Sequence, residues 1–185
     1  MKNFIATFFA ATVLTGFAYA QDSNTNSHQI NIAVPAVSLV DVEGSDGNTI
    51  DLEFTAPTEA GEWLTAPAAN SDLWLNLSST AKGSSTGKSV QAKVTGLPSS
   101  FELTVVAAGA TSDKKGQVGT PSAVVTLSGT DQNVITGVKT GYTGDGAGKG
   151  FQLTYNVSII DETAAIEAVN NDNLAVTVVY TMTGE

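Results

Sequence analysis

Five oxygen-bearing side chains crowd into one short stretch of the chain: Asp41, Glu43, Asp46, Asn48 and Asp51, around a turn containing Gly44 and Gly47. Hard oxygens at near-alternate positions suit Ca²⁺, which takes about six to eight such ligands in flexible geometry. The EF-hand spacing is absent, so an ion here would be held weakly and by a loop. Asp51 and Glu53 are equally explained as the wet side of a strand. Glycoside hydrolysis would need two carboxylates about 5–10 Å apart in a cleft. Asp51, Glu53, Glu59 and Glu62 could supply them, but nothing in the sequence marks one of the four as buried. Trp63 and Trp74 could stack on sugar rings. Trp74 has the opposite parity to Leu73, Leu75 and Leu77, although sandwich cores also place a Trp between their sheets. The run from Gly144 to Gly150 is glycine-rich and contains Gly148-Lys149, but a phosphate loop also needs a Gly at its first position and Ser or Thr after the Lys. Thr143 and Gly150 stand there instead, which makes the run a mobile hairpin loop feeding a strand at Phe151.

The composition excludes more than it suggests. The chain has 185 residues, a formal net charge of −10, eight Lys, no Arg, one His and no Cys. Nothing this acidic can neutralise a phosphate backbone, so nucleic acid is not an expected partner. Without Cys there is no disulfide, thiol nucleophile or thiolate metal site. The lone His28 lies in a polar stretch, which removes the usual triads and most zinc sites. We therefore expect a protein that is not an enzyme and needs no cofactor, calcium being the one candidate ion.

Residues 1–20 read as a secretory signal peptide. They show a basic start at Lys2, an apolar run from Phe4 to Phe17, and Ala18-Tyr19-Ala20 as a cleavage pattern. The apolar run is too short to span a bilayer, and no other run of spanning length follows, so no membrane span is expected. Residues 21–29 are a polar leader, and residues 30–185 are expected to form one domain.

From Ile30 the periodicity becomes two. Ile30, Ile32 and Val34 alternate with Asn31 and Ala33 up to the interruption at Pro35. Ile50, Leu52 and Phe54 predict the clearest amphipathic strand. Further strands are expected around Val37–Val42, at Leu73, Leu75 and Leu77, and over 90–94, 101–107, 123–127, 134–138, 151–159 and 174–182. Residues 161–173 predict a short helix or a loop. About eight or nine short strands separated by Gly, Ser and Asp turns, with no sustained helical period, point to an all-β antiparallel sandwich, immunoglobulin-like or jelly-roll.

Four stretches resemble a family of small, exported, functionally uncharacterised bacterial β-proteins. They are Ser38-Leu39-Val40-Asp41-Val42-Glu43, Thr55-Ala56-Pro57-Thr58-Glu59-Ala60-Gly61, Trp74-Leu75-Asn76-Leu77-Ser78-Ser79 and Tyr142-Thr143-Gly144-Asp145-Gly146-Ala147-Gly148. Leu174-Ala175-Val176-Thr177-Val178-Val179-Tyr180 is similar to the last strand of spore-coat-U-like and chaperone–usher pilin subunits. This resemblance implies an immunoglobulin-like sandwich that assembles at the cell surface by strand exchange. The chain departs from many pilins in having no Cys, and Pro35 would end its donor segment at Val34.

The resulting expectation is a secreted structural subunit of a bacterial surface fibre, pilus-like filament or biofilm matrix. Its partner would be a second copy of itself, with a periplasmic chaperone or outer-membrane assembly protein as a further candidate. Ile30, Ile32 and Val34 would be the inserted side chains, the alternative being that this strand pairs within its own domain. Ile50, Leu52, Phe54, Leu174, Val176, Val178 and Tyr180 would line the acceptor groove. The alternative is a monomeric adhesin or carbohydrate-binding module that contacts glycan through Trp63 and Trp74.

Overall fold

The computed structural model describes residues 25–83, 85–169 and 174–184; the expected signal peptide lies outside them. The chain divides into two units, Met1–Ala33 and Val34–Glu185. In the first, described residues 25–33 form neither helix nor strand.

The second unit is an antiparallel sandwich. Its elements in chain order are β1 (Ser38–Gly44), β2 (Asn70–Ser79), β3 (Lys88–Thr95), β4 (Phe101–Ala107), β5 (Lys115–Gly116), β6 (Thr120–Pro121), β7 (Val125–Thr126), β8 (Gln132–Val138), β9 (Gly141–Tyr142), β10 (Phe151–Ile159), α1 (Glu162–Val169) and β11 (Thr177–Thr183). One sheet has the order β5-β9-β2-β10-β4-β7, with β1 on the remaining edge of β2; the other has the order β11-β3-β8-β6. All ladders are antiparallel.

Alternation places the core. Leu73, Leu75 and Leu77 of β2, Leu103 and Val105 of β4, and Phe151, Leu153 and Tyr155 of β10 point inward. They meet Val90, Ala92 and Val94 of β3 and Val134, Ile135 and Val138 of β8. Each such side chain contributes about 1.5–3 kcal/mol on full burial. The short helix is capped by Asp161, whose Oδ1 accepts from the Ala164 amide at 3.0 Å and whose carbonyl accepts from Ala165 at 2.9 Å.

Two expected strands are absent, one at 30–34, which is exposed and joins no ladder, and one at 50–54. Residues 50–54 keep their alternation, with Ile50, Leu52 and Phe54 half-buried on the core, but they join no ladder. Phe54 reaches Phe101 with ring centroids 6.0 Å apart. The segment instead leads into a narrow excursion closed by reciprocal amide–carbonyl bonds between Thr55 and Thr65, both 2.9 Å. The last strand begins at Thr177 rather than Leu174, and the strand expected over 123–127 shrinks to Val125–Thr126.

The two sheets are tied by one polar contact inside the apolar layer. The hydroxyls of Tyr155 on β10 and Tyr180 on β11 lie 2.7 Å apart. Burial pushes the Tyr155 phenol up to about 12, against the small opposing effect of the shared hydrogen bond. Burial pushes Tyr180 up further, assisted by its partner. Both groups therefore favour the protonated fold over a chain in which tyrosine titrates near pH 10. Their stabilisation is complete below pH 10 and falls above it, the Tyr155 share being lost as pH rises through about 12 and the Tyr180 share only beyond it. Thermal unfolding followed from pH 9 to 12 should show a falling midpoint across that window, and the double variant Tyr155→Phe, Tyr180→Phe should flatten it.

Candidate functional site

Two regions of the sandwich gather the residues singled out by the sequence. The first is the flank where the sheets' outer strands meet. Among the described residues β1 pairs only with β2 and β11 only with β3, so each has a free edge, and β1 and β11 touch across the sandwich. Val40 and Val42 of β1, with Val176 and the β11 residues Val178, Tyr180 and Met182, face the core but remain half-buried. Ile50, Leu52 and Phe54 are in the same condition. Leu174, by contrast, precedes β11 and is exposed.

The approach to this flank is fixed by hydrogen bonds to residues more than forty positions away. Val37, just before β1, donates its amide to Thr80 Oγ1 at 2.7 Å, and its carbonyl accepts from the Thr80 amide at 3.0 Å. The same carbonyl accepts from Lys88 Nζ at 2.8 Å, and Thr80 Oγ1 donates to the Pro35 carbonyl at 3.3 Å. Lys88 is buried. Proline at 35 offers no amide of its own, so the clamp acts through its carbonyl and through the amide and carbonyl of Val37. Upstream of it, Ile30, Ile32 and Val34 are 71%, 86% and 77% exposed and belong to no strand.

The second region is the outer face of the larger sheet. In register, Leu39, Asp41 and Glu43 of β1 stand opposite Ser78, Asn76 and Trp74 of β2. Gln152 of β10 lies on the other side of Trp74. Trp74 is therefore half-buried on the outer face and not in the core, framed by a carboxylate and an amide. Trp63 is exposed in the excursion between Thr55 and Thr65, so the two tryptophans belong to separate elements.

The glycine-rich run at 143–150 is not the free hairpin expected. It is tied down at both ends onto β2 and its neighbours. The Leu77 amide donates to Thr143 Oγ1 at 2.9 Å, and the Thr143 amide returns to the Leu77 carbonyl at 3.0 Å. Gly150 exchanges bonds with Thr111, and Lys149 Nζ pairs with Asp113 Oδ2 at 2.6 Å. This brings Asp145 toward Glu43. Partial burial raises the Glu43 carboxyl above its ordinary value, and the charges of Asp145 and Asp41 and a hydrogen bond with Asp41 add to the rise.

The calcium set expected at Asp41, Glu43, Asp46, Asn48 and Asp51 is not assembled. Among the described residues no three His, Cys, Asp or Glu side chains are grouped so as to hold a metal ion. Asp46, Asn48 and Asp51 are exposed along the turn after β1, whereas Asp41 and Glu43 share their face with Asn76 and approach Asp145. The sequence signals that were missed are the parity match of Asp41 with Asn76 and the acid inside the glycine run. Glu59 and Glu62 form a turn in the Thr55–Thr65 excursion, with the Glu62 amide on the Glu59 carbonyl, and both are exposed.

Fold and site together define a β-sandwich with two free-edged outer strands and an unpaired apolar N-terminal segment. No family model matches the chain, and neither a curated protein nor a solved structure matches it. Among the described residues no helix is long and apolar enough to cross a membrane.

Proposed function

We propose that the protein is an exported, non-enzymatic structural subunit that polymerises head to tail, each copy lending residues 30–34 to the open flank of the next. The observation that carries this reading is the exposure of Ile30, Ile32 and Val34, an alternating apolar set left outside every strand. Support comes from the sandwich itself, whose β1 and β11 edges are free and whose core-facing Val40, Val42, Val178 and Tyr180 are half-covered.

The physics of lending is simple. A strand added to a free edge satisfies main-chain donors and acceptors, and its alternate side chains cover the half-buried apolar residues at that edge. Three aliphatic side chains moved from water to such a contact contribute about 1.5–3 kcal/mol each on full burial. The contact is heterologous and does not close, so it propagates as a fibre. A bacterial surface or biofilm matrix is the setting this reading implies, with a chaperone or outer-membrane assembly protein as accessory partner.

The test is negative-stain microscopy and size exclusion on the mature chain beside one that begins at Pro35. Filaments from the first and a monomer from the second are expected. Filaments from the chain lacking residues 21–34 would overturn the donor assignment.

One observation favours a second reading, a carbohydrate-binding module: Trp74 lies half-exposed on a flat sheet face between Glu43 and Gln152. A glycan array separates the readings, because a fibre subunit needs no sugar.

A further inference from the structure

We propose that β11, and not β1, is the acceptor edge, and that residues 30–34 of a second copy add antiparallel beside it with Ile32 opposite Tyr180. This rests on the assembly reading above and deepens it. Each copy then has one acceptor for its one donor, so the fibre does not branch.

Hydrogen-bond parity separates the two edges. Along a strand, successive residues send their amide and carbonyl to opposite sides in the plane of the sheet. Val37 addresses β2, since its amide donates to Thr80 Oγ1 and its carbonyl accepts from the Thr80 amide. Leu39, Asp41 and Glu43 then address β2 as well, which leaves Ser38, Val40, Val42 and Gly44 facing the free edge. Val42 and Gly44 are already covered. The Val42 amide donates to Asp41 Oδ1 at 2.8 Å, and Gly44 bridges to Gly47 as the chain turns back. A charged side chain on the edge amide and a returning turn both blunt an edge against strand addition.

The edge of β11 has neither. The Val94 amide of β3 donates to the Ser128 carbonyl at 2.8 Å, turning away from β11. Its partner in register is Val178, so Val178 exchanges no ladder bond with Val94 and points its own amide and carbonyl outward. Tyr180 and Met182 share that parity. Among the described residues none of these outward main-chain groups has a partner. The strand, Thr177-Val178-Val179-Tyr180-Thr181-Met182-Thr183, also lacks the proline and charge that discourage pairing.

The side chains fit the same register. Val178, Tyr180 and Met182 face the core half-buried, while Val179 and Thr181 are exposed. With Ile32 opposite Tyr180, Ile30 falls opposite Met182 and Val34 opposite Val178. Three apolar side chains then continue the inner face, and Asn31 and Ala33 stay in water beside Thr181 and Val179. Antiparallel pairing is slightly more stable per residue than parallel, which selects this direction.

The chain has no Cys, so an introduced pair supplies the only thiols. In the proposed register Asn31 and Thr181 form a non-hydrogen-bonded pair, with Cα atoms about 4.5 Å apart and within the span of a disulfide. The experiment compares the full mature chain carrying Asn31→Cys and Thr181→Cys with one carrying Asn31→Cys and Leu39→Cys, the latter an exposed position on β1. Both are polymerised, imaged by negative stain, treated with oxidised glutathione and run on denaturing gels without reductant. The expected result is filaments from both and a ladder of covalent multimers from the Thr181 pair. That ladder should exceed the Leu39 pair's at least about tenfold and collapse with dithiothreitol. Filaments with a ladder from the Leu39 pair, from both pairs equally or from neither overturn the β11 assignment and leave the assembly reading standing. A disulfide closed within one chain, or no filaments from the unsubstituted chain, overturns the assembly reading and this inference with it.

Discussion

Replacing Ile32 by Asp is expected to abolish filament formation while leaving the unfolding midpoint of the monomer where it was. Ile32 is 86% exposed and lies outside every strand, so a polar side chain costs the folded monomer nothing beyond the usual ±0.5 kcal/mol of a surface change. In a lent strand the same position enters the apolar layer of the neighbouring copy. There the substitution loses the burial of Ile and leaves a carboxylate without a partner, together about 4–6 kcal/mol at the contact. Each 1.4 kcal/mol is tenfold in affinity, so assembly should weaken by roughly three to four orders of magnitude. Ile32→Val should polymerise almost as wild type. The measurement is sedimentation of polymer against monomer concentration, with thermal unfolding alongside. Wild-type polymer from Ile32→Asp would exclude this residue from the contact.

Gly150→Ala should be among the most damaging single methyls in the fold. Gly150 has φ of +75°, where an L-residue costs about 1–2 kcal/mol. A Cβ there would collide with the Leu75 carbonyl oxygen and stand 3.0 Å from Asn76 Oδ1. That carbonyl belongs to β2 at the point where Leu75 pairs with Phe151, which is fully buried, so it cannot step aside without opening the β2–β10 ladder. The expected loss is about 3–5 kcal/mol, or roughly 8–15 °C in midpoint for a domain of this size. Gly148 makes the comparison clean. It too has positive φ, at +82°, but a Cβ there meets nothing within 4 Å, so Gly148→Ala should cost only the backbone strain of about 1–2 kcal/mol. Equal losses at the two positions would contradict the seating of the loop on β2.

The sequence was most legible where one periodicity served two purposes. In β2, β4 and β10 the alternation both buries a face and continues a ladder, so Leu73 to Leu77, Phe101 to Ala107 and Phe151 to Ile159 are read correctly from pattern alone. Residues 50–54 show the two purposes coming apart. Ile50, Leu52 and Phe54 alternate because one side packs on the core, and periodicity reports burial whether or not a neighbour accepts the amides. The two-residue strands β5, β6 and β9 left no trace, because a pair of residues such as Lys115-Gly116 or Gly141-Tyr142 has no period to detect.

The site divided along similar lines. The apolar set at Ile30, Ile32 and Val34 was visible because its alternation follows directly on a polar leader, and it reads the same whether the strand is lent or paired at home. Asp41 and Glu43 were visible as acids, but their neighbours were assigned by proximity in sequence, to Asp46, Asn48 and Asp51. The register places Asn76 beside Asp41, and the loop brings Asp145 from a distant part of the chain. Asn76 illustrates why such a residue is hard to find. Parity puts it on the wet face of β2, and only the overlying loop, held at Leu77 and Thr111, removes it from water.

The clamp on Val37 has a mechanical consequence. Tension applied to the N-terminal segment enters the sandwich through the Pro35 carbonyl and the amide and carbonyl of Val37, where Thr80 and the Lys88 ammonium take it up before it reaches the first β1–β2 pair, Ser38 with Ser79. Beyond that point a pull along β1 acts in shear on a seven-residue antiparallel ladder, so its hydrogen bonds resist together and do not peel one by one. A chain of copies joined through this segment would stretch first in the linker before Pro35 and yield last at β1.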